Sequence, residues 1–351
     1  MGRIVGIDIG GTFTDVVVFD TDRGVFVERI KTLSTPRRPQ RSVIDVLKKL
    51  SRFHRDIRIV IHATTIATNA LLGQVGLELP KAALITTRGF RDVLEIGRQR
   101  RPSLYDPFFE KPKPLIPRRY RFEVNERVDG EGKILRRPLD DELRSLVEVI
   151  RREHIVSVAI CFINSYLNHE NERYVKEFLS SNLDDVYICA SYEVDNQYRE
   201  YERMSTTTVN AILMPIVSRY LSELENMINQ ILPTTTFLIM KSDGGVSRPK
   251  FIVSRPATII ESGPAAGVIA TEFIGSLLGL SELLSFDMGG TTAKAGTIID
   301  GKPTITTEYE VGGKIHAGRI VKGSGYPVRY SFIDLAEVSS GGGSIIWVDE
   351  A

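Results

Sequence analysis

The stretch Asp8-Ile9-Gly10-Gly11-Thr12 has a second copy later in the chain, Asp287-Met288-Gly289-Gly290-Thr291. Each copy follows an apolar run with the character of a β-strand and precedes another such run. Aspartate, glycine and threonine are common residues, so one copy carries little information, whereas two copies in matched contexts rarely arise by chance. The repeat predicts two equivalent β-hairpins far apart in the chain.

The chemistry of these hairpins suits phosphate. Two glycines let the turn present successive backbone N–H groups in a concave surface, and the threonine hydroxyl adds a donor. The aspartate at the strand end is too negative to contact phosphate directly, but it can hold Mg²⁺ or orient an attacking water or hydroxyl group. Two such hairpins facing each other would hold a polyphosphate from both sides. Neither a Walker A loop nor a Gly-x-Gly-x-x-Gly turn is present.

The composition excludes several classes of protein. Of 351 residues, 42% are hydrophobic, which is enough for a substantial core and argues against disorder. Lys and Arg number 45 against 44 Asp and Glu, so the overall basic charge of nucleic-acid-binding proteins is missing. The two cysteines and five histidines show no zinc-ligand spacing, and no apolar run is long enough to span a membrane. We therefore expect a soluble protein of the cytoplasm.

Predicted strands and helices alternate along the chain, as in an α/β protein. A helical pattern over 198–231 has an expected break at Met214-Pro215, because proline removes a backbone donor and clashes with the preceding turn. Residues 98–138, rich in Pro, Arg and Gly, predict an irregular insertion. Another helix is predicted from Ser262, as its N-cap, to about Leu278. Its stripe of small residues predicts close approach of a second backbone: Gly263, Ala266, Gly267 and Ala270.

The duplicated hairpin resembles the phosphate-1 and phosphate-2 motifs of the acetate and sugar kinase, heat-shock-70 and actin superfamily. This resemblance implies an α/β fold of two ribonuclease-H-like (actin-like ATPase) domains with mixed sheets, and ATP in the cleft between them. In that superfamily a helix of small residues crosses near the hinge, and the helix that begins at Ser262 has the matching position.

The resemblance narrows to the hydantoinase A and 5-oxoprolinase family. Six stretches carry it: Gly6–Asp15, His62–Leu72, Thr86–Val93, Glu200–Arg203, Ser262–Gly267 and Ser340–Ser344. Members include N-methylhydantoinases, oxoprolinases and subunits of acetone and acetophenone carboxylases, which use ATP to activate a carbonyl or amide oxygen, often with a hydantoinase-B-like subunit. The resemblance implies an N-terminal domain over 1–195, with its insertion near 98–138, and a hydantoinase A-type domain over 196–351.

The family resemblance also implies roles for individual residues. Asp8 and Asp287 would be the catalytic carboxylates, and Mg²⁺ would be held by Asp8 and Asp15. The residues expected to contact ATP are Gly10, Gly11, Thr12, Thr14, Gly263, Gly289, Gly290, Thr291, Thr292 and Lys294. The residues expected to contact substrate are His62, Thr64, Thr65 and Arg98.

Each of these assignments has a structural alternative. Thr14 and Asp15 are also ordinary hairpin residues, the segment 62–68 also suits the cap of a helix, and basic stretches such as that around Arg98 often form a solvated face.

Two features depart from the family pattern. Lys294 stands where many relatives carry an acid equivalent to Asp15, so it either removes a metal ligand or meets phosphate charge. Relatives also continue for a comparable distance beyond Gly341–Gly343, whereas this chain ends at Ala351. We therefore expect an incomplete second domain, weak ATP binding and negligible turnover by the lone chain, and a companion chain that supplies the C-terminal half or a hydantoinase-B-like subunit.

The activity that the resemblance implies is ATP-dependent hydrolysis of a cyclic amide, such as a hydantoin or a 5-oxoproline-like lactam, by phosphorylation of the carbonyl oxygen. Three alternatives remain open on the sequence. They are an ATP-dependent ketone carboxylase subunit, a small-molecule kinase of the same superfamily and a non-catalytic nucleotide-responsive scaffold.

Overall fold

The computed structural model describes residues 2–10, 13–35, 39–74, 76–289, 292–316, 318–338, 340–345 and 347. The helices are α1 (Pro39–Lys49), α2 (Ile66–Leu71), α3 (Val93–Ile96), α4 (Asp140–Arg152), α5 (Glu170–Asn182), α6 (Ser191–Val194), α7 (Glu200–Ile231), α8 (Pro249–Ser254) and α9 (Ser262–Leu278). Short 3₁₀ turns cover Ser51–Phe53, Arg118–Tyr120 and Pro256–Ile259.

The longer strands are β1 (Arg3–Ile9), β2 (Phe13–Asp20), β3 (Val25–Leu33), β4 (Ile57–Thr64), β5 (Ala82–Thr87), β6 (Arg121–Val124), β9 (Ser157–Cys161), β10 (Tyr187–Ala190), β11 (Thr236–Met240), β13 (Leu283–Met288), β14 (Ala293–Ile299) and β22 (Leu335–Val338). The shorter strands are β7 (Arg127–Val128), β8 (Ile134–Arg136), β12 (Val246–Ser247), β15 (Lys302–Pro303), β16 (Ile305–Thr306), β17 (Tyr309–Val311), β18 (Ile315–His316), β19 (Arg319–Ile320), β20 (Tyr326–Val328) and β21 (Phe332–Ile333).

A mixed six-stranded sheet with the order β12-β11-β4-β1-β2-β3 carries the first hairpin. Strands β1, β2 and β3 are antiparallel neighbours, whereas β4 and β11 run parallel to β1. Val5, Ile7 and Ile9 alternate on β1 and are buried in one core with α1 and α7, which fixes the register of the strand. Asp8 therefore points away from that core, at the carboxyl end of β1.

A second sheet, β10-β9-β5-β6, is parallel throughout. Every residue of β5 and β9 is buried, as expected for parallel strands covered on both faces. Helix α4 covers part of this sheet with Leu143, Leu146, Val147 and Ile150, which share one helical face. The predicted insertion is largely irregular as far as residue 117, but β6 within it joins the sheet.

Helix α7 runs without interruption from Glu200 to Ile231, so the predicted break at Met214-Pro215 is wrong. The residues from Glu202 to Val217 are all buried, and the packing on the sides of the helix holds it together across Pro215. Tertiary packing here outweighs the lost hydrogen bond and the clash of the proline ring, which together destabilise a helix by about 3 kcal/mol.

The second hairpin, β13-β14, belongs to a small sheet in which β22 and β15 pair with β14. Helix α9 covers one face of this sheet, and Leu283 of β13 packs on it at Gly275. The opposite face leaves Leu284, Phe286 and Ile299 at least half exposed. Within the described residues β13 pairs with β14 alone, whereas its counterpart β1 has β2 on one side and β4 on the other.

Helix α9 differs from the prediction in its N-cap residue and in the packing of its small residues. Its N-cap residue is Glu261, and the hydroxyl of Ser262 instead donates to the Thr64 carbonyl at 2.9 Å. The stripe of small residues does not form a close crossing, because a Cβ atom on Gly267 would meet nothing within 4 Å and Ala270 is exposed. The backbone is approached closely at Gly263 and Gly275 instead.

The sheet that holds β1 draws β11 and β12 from beyond residue 195, so its strands lie on both sides of the boundary expected from the family. None of the described helices combines the length and apolar character that a membrane span requires.

Candidate active site

The carboxyl ends of β1 and β13 face one cavity of about 430 Å³. Asp8 and Asp287, the first residues of the two repeated motifs, both line it. The two hairpins have the same backbone closure: Gly10 N–H donates to the Phe13 carbonyl and Gly289 N–H to the Thr292 carbonyl, each at 2.9 Å. The four central motif residues, Gly11, Thr12, Gly290 and Thr291, lie outside the described residues.

Asp8 is held in an environment that disfavours its charge. Burial is the main cause, and the nearby carboxylates of Asp287 and Asp15 add to it, so that the pKa of Asp8 rises to about 6. Its Oδ1 atom is buried and has no hydrogen-bond partner among the described residues. A buried carboxylate oxygen without a partner is costly in a folded protein, and such groups concentrate at functional sites.

The residues at this point fit a magnesium ion. Mg²⁺ in nucleotide sites is held by one or two carboxylates, and its remaining ligands are phosphate oxygens and water. Asp8 and Asp287 supply two such carboxylates, and the unpartnered Oδ1 of Asp8 is free to coordinate. No cluster of three or more His, Cys, Asp or Glu suited to a metal occurs within the described residues, so a bound ion would need oxygens from the nucleotide.

Lys294 of β14 also lines the cavity, between two acids. Its Nζ atom pairs with Glu261 and lies 3.5 Å from Oε2 of Glu337. Burial opposes the positive charge, but the two carboxylates outweigh it and raise the pKa of Lys294. The ammonium group therefore stays protonated on the wall of the cavity.

Glu261 is held by several contacts in an uncommon backbone conformation. Its φ of +62° lies in the left-handed region, which residues other than glycine rarely adopt. Its N–H donates to Oγ1 of Thr68 at 3.2 Å, and the Tyr309 hydroxyl donates to its carboxylate at 3.5 Å. Strained residues of this kind often occur at functional sites, where the surrounding structure fixes them.

Comparison with known proteins identifies the family of this chain. The hydantoinase/oxoprolinase N-terminal region matches residues 4–183, and the hydantoinase/oxoprolinase domain matches residues 203–351. The chain belongs to the hydantoinase/oxoprolinase family. The resemblance seen in the sequence is thereby confirmed.

Several relatives cover this chain from end to end. An uncharacterized protein of Methanocaldococcus jannaschii is 51% identical over 350 residues, covering 100% of this chain and 51% of that protein. The caprolactamase subunit alpha of Pseudomonas jessenii is 29% identical over 99% of this chain and 49% of its own length. The 5-oxoprolinase 1 of Arabidopsis thaliana is 30% identical over 96% of this chain and 28% of its own length. The chain thus spans about half the length of the first two relatives.

Two solved structures support the fold of this hydantoinase/oxoprolinase chain. The ATP-dependent caprolactamase from Pseudomonas jessenii superposes with a TM-score of 0.84 at 26% identity, over 99% of this chain and 49% of that one. Nucleotide-free acetone carboxylase gives a TM-score of 0.80 at 24% identity, with the same coverage of both chains. The predicted α/β class with mixed sheets and an actin-like ATPase fold is confirmed.

Some of the residues predicted for the site converge on the cavity of this family member. Those that line it are Asp8, Gly10, Thr65, Gly263, Asp287, Gly289, Thr292 and Lys294. Gly263 lies close to Asp8, because a Cβ atom there would lie 3.1 Å from Oδ1 of Asp8. Gly342, in the glycine-rich segment near the end of the chain, donates to the Gly289 carbonyl at 2.9 Å and so contacts the second hairpin.

Two residues predicted to bind ATP or metal lie beside the cavity. The hydroxyl of Thr14 is buried and lies 3.0 Å from that of Ser34, which donates to the Gly10 carbonyl at 2.8 Å. Asp15 pairs with Lys31 at 2.9 Å on the strand next to Asp8. In this structure Thr14 supports the turn, and Asp15 acts on Asp8 through its charge.

Three residues predicted to contact substrate also lie elsewhere. His62 is fully buried between the Ile7 carbonyl and the Tyr220 hydroxyl, and burial lowers its pKa to about 4. Thr64 joins β4 to α9 by accepting the Ser262 hydroxyl at its carbonyl. Arg98 lines two other cavities, and its guanidinium group pairs with Glu202, Glu308 and Glu310.

Three residues that line the cavity around Lys294 were not predicted from the sequence: Glu261, Tyr309 and Glu337. One signal for Glu261 was available, since it directly precedes the stretch Ser262–Gly267 that carries the family resemblance. No local pattern marks Tyr309 or Glu337, because strand pairing brings them to the site. Glu337 lies opposite Lys294 in the β14-β22 pair.

Proposed function

We propose that this chain binds MgATP between its two hairpins and directs the γ-phosphoryl group to the oxygen of a cyclic amide, as part of a larger ATP-dependent amidohydrolase. The main support is the unpartnered Asp8 carboxylate, which faces the same cavity as the equivalent carboxylate of Asp287. Relatives named 5-oxoprolinase and caprolactamase support the reaction class.

Each side of the cavity has a proposed part in binding the nucleotide. The hairpin residues 10–12 and 289–292, with Gly263, would surround the phosphates, and Lys294 would neutralise part of their charge. Asp8 and Asp287 would hold Mg²⁺, with Asp15 acting through its charge. When bound, the ion would neutralise charge on the phosphate oxygens.

The proposed reaction activates the amide carbon for attack by water. The bond between the γ-phosphorus and the β,γ-bridging oxygen breaks, a bond from the γ-phosphorus to the amide oxygen forms, and ADP leaves. The phosphorylated amide carbon then takes up a water molecule. The C–N bond breaks as the nitrogen gains a proton, which leaves a ring-opened acyl phosphate, and a second water releases inorganic phosphate. Asp8 and Asp287, which both line the cavity, would orient the reacting oxygen atoms.

A second candidate, ATP-dependent carboxylation of a ketone, rests on relatives named as subunits of acetophenone and acetone carboxylases, each 26% identical to this chain. A ketone oxygen would accept the phosphoryl group in the same way, and loss of a proton from the α-carbon would leave an enol phosphate. The two candidates differ in the next step. Water attacks the phosphorylated amide carbon, whereas the α-carbon of the enol phosphate attacks carbon dioxide while water takes up the phosphoryl group as inorganic phosphate.

We further propose that a companion polypeptide completes the enzyme. The relatives named as subunits support this, as do the exposed face of the β13-β14 sheet and the free edge of β13 within the described residues. The division into domains over 1–195 and 196–351 is part of this proposal, as is a cytoplasmic location.

Product analysis tests the proposed function. The chain, alone and with a companion from its own organism, is incubated with MgATP and hydantoin, caprolactam or 2-pyrrolidone, and the products are separated by mass spectrometry. We expect a ring-opened acid formed in step with ADP, and none from an Asp8→Asn variant. A carboxylated product would favour the second candidate. A stable phosphorylated substrate, or ring opening without ATP, would refute the proposal.

A further inference from the structure

The wall of the cavity away from the acids is apolar. Strands β18 and β19 form a two-stranded ribbon in which Ile315 and Ile320 are cross-strand partners, and both line the cavity. Val311 and Leu72 extend this surface. Leu72 packs at Gly312, where a Cβ atom would lie 3.5 Å from it, and Ile320 packs at Gly313. A substrate next to the bound nucleotide would therefore meet hydrocarbon on this side.

The charged residues of the cavity are almost all acidic. Four carboxylates line it, those of Asp8, Glu261, Asp287 and Glu337. Lys294 is the one cation on its wall within the described part of the chain, and its ammonium group is already shared between Glu261 and Glu337. If Lys294 meets the phosphates of bound ATP as proposed, a substrate carboxylate would find no other cation on this wall within the described residues. Bound MgATP would add further negative charge.

The basic stretch around Arg98, which was expected to contact substrate, does not line this cavity. Arg98 lies against a separate cavity, and its charge is satisfied by Glu202, Glu308 and Glu310. Arg118 pairs with Asp92 at 2.8 Å on the surface. The cation-rich stretch therefore leaves the acidic character of the cavity unchanged.

From this arrangement we infer that the substrate is an uncharged ring, a cyclic amide without a carboxylate. The inference rests on the proposed function and specifies its substrate class. The relatives include both substrate classes. One is named for 5-oxoproline, which carries a carboxylate, and another for caprolactam, which carries none. A like charge brought beside buried acids is repelled, whereas an apolar ring gains from contact with Ile315 and Ile320.

The test uses two ligands that differ only in the carboxylate, 2-pyrrolidone and 5-oxoproline. With the chain and its companion, we measure kcat/KM for amide-dependent ADP release and the rise in Tm that each ring causes in the presence of Mg²⁺ and a non-hydrolysable ATP analogue. We expect 2-pyrrolidone to be preferred by about tenfold or more in kcat/KM. Equal or better use of 5-oxoproline would overturn the inference, and so would a failure of both rings to act while ATP is still bound.

A charged variant tests the role of the wall. Ile320→Lys places a cation on a partly exposed ribbon, where it should not disturb the core, and we expect the preference for 2-pyrrolidone to shrink at least about threefold. Ile320→Met is the matched control and should keep the preference. An unchanged preference in a folded Ile320→Lys protein would overturn the assignment. If the unaltered protein does not bind ATP, that result instead refutes the proposed function.

Discussion

Lys294 lies directly opposite Asp287 in the antiparallel β13-β14 pair. The equivalent position opposite Asp8, in the β1-β2 pair, holds Asp15. The charges also differ on the third strand of each sheet. Glu337 of β22 lies opposite Lys294, whereas Lys31 of β3 lies opposite Asp15. The two hairpins thus share a backbone plan but differ in charge, and we propose that the first attracts the metal ion while the second attracts phosphate.

Removal of the charge of either motif aspartate should abolish catalysis without unfolding the protein. In the chain assayed with its companion, we expect Asp8→Asn and Asp287→Asn each to lower ATP turnover by about 100-fold or more, because both carboxylates face the cavity where charge develops. The Tm should not fall, since the buried Asp8 carboxylate lacks a partner for Oδ1. Turnover assays and thermal melts check this, and full activity of Asp8→Asn would contradict the assignment.

The raised pKa of Asp8 predicts a stability that depends on pH. The folded state keeps the proton up to about pH 6, whereas the unfolded state releases it near pH 4. The free energy of unfolding should therefore decrease by about 1–3 kcal/mol as the pH rises between these values, then level off. Urea titrations of the unaltered protein and of Asp8→Asn isolate this effect. A difference between the two that does not change with pH would refute it.

The same pKa predicts how magnesium binding depends on pH. Mg²⁺ needs the ionised carboxylate, so its stabilisation of the ATP-bound chain should be weak at pH 5 and should grow through about pH 6. The rise in Tm caused by Mg²⁺ with an ATP analogue measures this directly. Asp8→Asn serves as the control and should show little rise at any pH.

The buried pair of Lys294 and Glu261 should be strongly coupled. Lys294→Met leaves Glu261 buried without its cation, which we expect to cost about 3 kcal/mol or more of unfolding free energy. The double variant Lys294→Met with Glu261→Gln should recover most of that loss. Lys31→Met, which breaks the exposed pair with Asp15, is the control and should cost less than about 1 kcal/mol. Additive losses in the cycle would show that the two residues do not interact.

Two glycines of α9 should respond in opposite ways to alanine. A Cβ atom on Gly267 meets nothing within 4 Å, so Gly267→Ala should raise stability by up to about 1 kcal/mol through helix propensity. The same change at Gly275 collides with Leu283 and should lower stability by about 1–2 kcal/mol. Denaturant titration measures the free energy of unfolding of both variants and so checks both predicted changes. A more stable Gly275→Ala would show that Leu283 moves aside freely.

The sequence by itself determined the duplicated hairpin, the alternation of strands and helices, and the family. These follow from local patterns: β1 and β4 are apolar runs bounded by turn residues, and Asp8 and Asp287 must come to the strand ends once the hairpins form. The continuity of α7 through Pro215 did not follow, because packing on the sides of that helix outweighs the local effect of proline.

The composition of the cavity was decided only by the tertiary structure. Glu261 and Glu337 pair with Lys294 from separate elements, and Tyr309 of a third element contacts Glu261. His62 and Arg98, which looked suited to a substrate, are satisfied by partners far away in the sequence. A side chain's chemistry can be read from the sequence. Whether its polar atoms remain available to a ligand depends on which neighbours strand pairing and packing bring within hydrogen-bond distance. Those neighbours are fixed by long-range contacts that no local pattern records.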